Sequence, residues 1–220
     1  MTHEKLPATK NIPELNINIE GLRRHSAVCM FLPEPDLSSE DRRLREWLRH
    51  ALCSATRHYR EARELVAKQE SASQADDGGV VFYVFEVPEQ IEGCVMALYR
   101  VCMALRRMGA RNIPASEFCN RFETSIAELR AIRNQFEHMD HQIVSGQSGL
   151  GPIVIAFCDE GCRIKFRSLT MPTASLHGLI EGVFRFVATL YPKFDAESAP
   201  TCGGFAKLQM SMTVEVIERE

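Results

Sequence analysis

The chain has 220 residues, 45% apolar and 25% charged, proportions typical of a soluble globular protein long enough to bury a substantial core. Its net charge of −3 speaks against a generic nucleic-acid coat or membrane-surface binder, while leaving room for a local basic patch. No apolar run reaches the roughly 18 residues needed to span a bilayer, and Met-Thr-His-Glu-Lys-Leu-Pro at the start lacks an apolar signal core, so a cytoplasmic protein with no membrane association is expected. Eight cysteines are scattered without a Cys-x-x-Cys pair and read as reduced, mostly buried small hydrophobes.

In chain order, residues 1–37 read as an N-terminal arm packed on the body. It contains two β-rich runs, Leu15 to Ile19 and Ala27 to Leu32, and the period-two alternation of the first predicts an edge strand. Ser38-Ser-Glu-Asp41 has the form of a capping box and predicts a helix to about Gln69, with Leu44, Leu48, Ala51, Ala55, Tyr59, Ala62 and Val66 on its core face. Its outward positions hold Arg42, Arg43, Arg45, Arg49, Arg57, Arg60 and Arg63 among glutamates. They form either a solvated charge-laced face or a strip that faces phosphates.

A second helix is predicted from about Val80 to Met108. The three-four steps through Val81, Val84, Pro88, Ile91, Val95, Leu98, Cys102 and Leu105 outweigh the strand propensity of Val80 to Val87, with a kink at Pro88 and a stop at Gly109. The third helix, Ser116 to Val144, keeps Phe118, Phe122, Ile126, Leu129, Ile132, Met139 and Ile143 within about 80° of Phe136, the centre of its buried face, at 3.6 residues per turn. Residues 152–169 read as a β-hairpin turning at Asp159-Glu-Gly161, with Cys158 and Cys162 facing each other as free thiols, a labile disulfide or half a metal site. A fourth helix starts at Thr170 and Pro172, is built on Leu176, Ile180, Val183, Phe184, Val187 and Leu190, and stops at Tyr191-Pro192. Residues 38–192 thus form one mainly α domain, a bundle of four long helices with the hairpin inserted before the last. Residues 193–220 form a tail whose Met210 to Ile217 alternation suggests a strand.

The dense polar cluster of the chain is Arg133-Asn-Gln-Phe-Glu-His-Met-Asp-His141. Cleaving RNA without a metal needs a base for the 2′-hydroxyl and a cation for the phosphorane oxygens, which histidine and arginine supply. Asn134 and His138 are four apart and share a helix face, whereas Arg133 lies about 140° round from His138 and must curl or be completed by a symmetry mate.

Arg133-Asn134-x-x-x-His138 resembles the signature of HEPN domains, all-helical bundles many of which are metal-independent RNA endonucleases of toxin, defence and RNA-processing systems. The resemblance covers six residues at motif level and about Ser38 to Tyr191 at fold level. It departs from the family in that a hairpin and a further helix follow the motif. It implies catalytic roles for Arg133 on the phosphate, Asn134 in orienting it and His138 as general base or acid. It also implies no cofactor, a homodimer joining two motifs in one cleft, RNA as substrate, and a protein partner such as an antitoxin.

Two other readings stand beside it. His138 and His141, with Glu137 and Asp140, could form half a metal shell, lacking a second ligand pair apart from His50 and His58 by elimination. Alternatively Arg133 pairs with Glu137 across one turn, the histidines are solvated, and the protein is a catalytically inactive helical scaffold or interaction module.

Overall fold

The structure, a computed structural model, describes residues 6–31, 37–73, 85–147, 153–191 and Phe194. It is mainly helical, with a small three-stranded antiparallel sheet.

The longest element is α2 (Ser39–Ser73). It begins where the serine signal placed it: Ser38 Oγ accepts from the Asp41 N–H at 3.1 Å and donates to Asp41 Oδ2 at 2.7 Å. Leu48, Ala51, Leu52, Ala55, Tyr59, Ala62 and Val66 are buried along one stripe that packs on α3 (Glu86–Gly109). The helix α3 does not run through a kink. It starts at Glu86, so Pro88 stands in the first turn, where its missing N–H would have had no intrahelical acceptor. Positions 80–84 lie outside the described residues. Ile91, Val95, Leu98, Cys102 and Leu105 are fully buried, as their spacing predicts.

Among its described residues the N-terminal arm contains no strand. After a 3-10 turn at Thr9–Asn11, residues 12–18 run as irregular chain into α1 (Ile19–Cys29). Asn18 caps α1 by accepting from the Gly21 N–H at 2.8 Å. Ile19, Leu22, Ser26 and Cys29 are buried, a three-four-three spacing that outweighs the β-branched composition of the segment.

The expected third helix is three helices: α4 (Ile113–Arg121), α5 (Glu123–Glu137) and α6 (Met139–Val144), broken at Phe122 and His138. At the first break the Phe122 ring lies 4.8 Å from that of Phe118 and fits over Gly182, where an added Cβ would come within 2.6 Å of Phe122 Cζ. The bend turns both aromatic rings toward the last helix, α7 (Thr173–Thr189). The core face survives the breaks, with Phe118, Ile126, Leu129, Ile132 and Met139 buried, whereas Ile143 is exposed.

The sheet has three strands in the order β1 (Ala156–Cys158), β2 (Arg163–Phe166) and β3 (Leu169–Pro172). Cys158 pairs with Arg163, not Cys162; Cys158 is buried, Cys162 is exposed and no disulfide joins them. Asp159, Glu160 and Gly161 all have positive φ, and Gly161 at φ 94 packs against Ile12 of the arm. Thr170 does not open the last helix. It pairs with Lys165 in β3, and the helix starts after Pro172. Ile164, Phe166 and Met171 turn one face of the sheet onto α5 and α7, with the Phe166 ring 5.3 Å from Phe136.

In place of four long helices, seven helices are present among the described residues. The expected strand at Met210 to Ile217, and Cys202, fall outside those residues. No described helix is long and apolar enough to cross a membrane.

Candidate functional site on the fifth helix

The residues Arg133, Asn134 and His138 sit at the C-terminal end of α5. Ile126, Leu129 and Ile132 anchor that helix to the core, which holds its last turn against α3 and the sheet. Arg133 stands beside the buried stripe at Ile132, so its stem runs along α3 and its guanidinium reaches Tyr99, with Cζ 4.7 Å from the ring centroid. One guanidinium nitrogen donates to Asn134 Oδ1 at 3.1 Å, and the other pairs with the Glu137 carboxylate one turn on. Arg133 Nε is buried and makes no hydrogen bond among the described residues. The cation is thus held by stacking, a carboxylate and an amide oxygen while keeping one donor unused.

His138 closes α5 and opens α6, with φ −97 and ψ 13. Its backbone N–H donates to the Asn134 carbonyl at 3.2 Å, the last bond of the helix ladder. The break leaves the imidazole exposed, one turn past the half-buried Asn134. Two of the three sequence-predicted residues are therefore in contact, Arg133 with Asn134. His138 stands next along the surface, at the joint.

The second histidine, His141, is exposed on α6, as is Asp140. Among the described residues no group of three or more His, Cys, Asp or Glu side chains is placed to hold a metal ion. His58 faces away from this cluster: its Nδ1 is 2.6 Å from Gln90 Oε1, and its ring lies against Gly93 of α3. His50 lies on α2 beside Trp47, with ring centroids 6.2 Å apart.

Sequence reasoning missed Tyr99, which decides where the arginine points. It stands off the buried stripe of α3, and only the crossing of α3 with α5 brings it over position 133.

The arginines of α2 do not converge on α5. Arg60 donates to the carbonyls of Leu15 at 3.3 Å and Ile17 at 3.0 Å, and Arg63 Nε donates to that of Ile12 at 3.0 Å. Arg49 pairs with Glu46 at 2.9 Å, and Arg45, buried, lies 4.6 Å over the Tyr191 ring. Part of the expected basic strip is therefore spent on the arm, whose chain from Ile12 to Ile17 supplies acceptors that no helix or strand satisfies. No family model, curated protein or solved structure matches the chain at a significant level.

Proposed function

We propose that this protein is a HEPN-like, RNA-acting protein of the toxin or defence type in which Arg133, Asn134 and His138 perform metal-independent cleavage as a homodimer. The observation that carries the reading is the helix break at His138. It places a solvent-facing imidazole one turn beyond an Arg–Asn pair that is already joined by a hydrogen bond. His138 would take the proton of a 2′-hydroxyl as that oxygen bonds to phosphorus, the His138 of the second protomer would protonate the 5′-oxygen as its bond to phosphorus breaks, and Arg133 would exchange the Glu137 carboxylate for the phosphate it resembles in charge and shape. The unused Nε–H supplies a further donor as that exchange proceeds.

A second reading, a catalytically inactive interaction module, draws support from the same ion pair. A guanidinium stacked on Tyr99 and paired with Glu137 is a sufficient structural tie between α3 and α5.

The two readings part in an RNA-cleavage assay of the purified protein in excess EDTA. The nuclease reading expects His138→Ala to lose about 10²–10⁴-fold in rate, and Glu137→Gln to cleave faster than wild type because Arg133 is released. Equal cleavage in wild type and His138→Ala, or none in either, leaves the interaction module.

A further inference from the structure

A second polar, grooved surface lies away from the α5 cluster, along the outer side of α2. Two grooves, each of about 560 Å³, share Arg49 and His50 and together run along α2 from Arg42 to Glu64, with the two ends of α1 beside them. Their walls carry seven arginines against four glutamates, a local excess of three positive charges on a chain whose net charge is −3. Several of these cations already have work. Arg23 pairs with Glu20 at 3.0 Å, Arg49 pairs with Glu46, and Arg60 holds the arm. Arg43 and Arg57 are exposed and make no ion pair with a described residue.

Between those two cations stands Trp47, 48% exposed, although a tryptophan ring is on average highly buried in folded proteins. Its ring is stacked on His50 at an interplanar angle of 28°. At 100° per residue, Arg43, Trp47, His50 and Arg57 fall within about 80° of one another on α2. From Arg43 to Arg57 the helix rises about 21 Å.

We propose that this face of α2 binds a single strand of RNA, with a base stacked on Trp47 and the flanking phosphates on Arg43 and Arg57. Cations that track a backbone on either side of an exposed aromatic ring are the features that such binding needs, and the span suits about four nucleotides. The stacked His50 presents a flat edge beside the ring for a second base. An acidic protein segment would use the same charges but has no need of an exposed indole held open by stacking. The proposal stands whether or not the α5 cluster cleaves, because it uses none of the same residues.

Trp47 is the single tryptophan of the chain, so its fluorescence reports this surface alone. Titrating the full-length protein at low salt with an oligouridylate of about eight nucleotides is expected to quench it saturably. Arg43→Gln with Arg57→Gln should weaken binding of a fluorescein-labelled copy and lower the slope of log K against log salt by about 1.4, two contacts at about 0.7 each. Trp47→Leu should weaken the same labelled RNA about tenfold, while Arg133→Ala leaves the Trp47 quenching unchanged. Absence of quenching overturns the proposal, as does a salt slope that the double arginine variant does not move. So does displacement of the RNA by an oligoglutamate as effective as unlabelled RNA, which would assign the surface to a protein partner.

Discussion

Arg133 shows how one side chain can be read two ways until its neighbours are known. From its position next to Ile132 it had to leave the core along α3, and what it met there was an aromatic face and a carboxylate. Gly182 is the counterpart on the packing side. Its missing Cβ is the space that the Phe122 ring fills, so Gly182→Ala should overpack the joint between α4 and α5 at a cost of about 1–3 kcal/mol. Thermal denaturation would show this as a fall of several degrees in Tm. An unchanged Tm would mean that the ring has room elsewhere. The thiols divide by burial: Cys94 and Cys102 are pushed up to about 12 by desolvation, while Cys162 is exposed. Iodoacetamide at about pH 8 should therefore label Cys162 and spare both buried thiols until the protein is unfolded, since the thiolate is the nucleophile. Mass-spectrometric mapping reads that directly, and early labelling of Cys94 or Cys102 would contradict it.

At the scale of elements, the arm is the part whose stability comes from outside its own backbone. Ile12 and Leu15 are buried anchors, and the carbonyls between them are met by Arg63, Tyr59, His177 and Arg60. Truncating Arg63 to alanine strands the Ile12 carbonyl and removes a charge-assisted bond, worth about 1.5–3 kcal/mol. Hydrogen exchange in residues 12–18 should rise well above that of α3 in Arg63→Ala, whereas uniform protection across the chain would show that the anchors suffice. The breaks at Phe122 and His138 and the third strand escaped the periodicity for different reasons. A bend of one residue preserves which side faces the core, so Phe118 to Met139 read as a continuous stripe although the helix is not continuous. The turn between β2 and β3 is Arg167-Ser168, with Arg167 at φ 57, and it offers none of the Asn-Gly chemistry by which a tight hairpin is recognised. Its fastening to Gln142 of α6 at 2.9 Å is a long-range contact that no local pattern encodes.

For the molecule as a whole, the core holds acids kept neutral by burial. Cys94 and Cys102 are raised to about 12, and Tyr59 and Tyr191 are raised as well, mainly by desolvation. Each has a folded value above its unfolded one, so through the alkaline range the folded state binds more protons than the unfolded chain. Their contribution to stability is complete below the ordinary thiol value of about 8.5 and is lost progressively as pH climbs past it. The urea midpoint should fall between about pH 8 and pH 10.5 with little change in m, and a midpoint that rises would refute the burial of these groups. Most of the helical body could be read from spacing, because burying one face of a helix imposes a period that survives in the residues themselves: Leu48 to Val66, Ile91 to Leu105 and Leu176 to Val187 are where that period put them. The hairpin turn at Asp159-Glu-Gly161 was legible too, since few residues accept its backbone. What spacing could not convey was anything set by the approach of distant segments. Tyr99 over Arg133 and the arm clamped by Arg60 and Arg63 arise from how distant segments pack together, and that packing depends on side-chain shapes summed over the whole interface rather than on the period of any one helix.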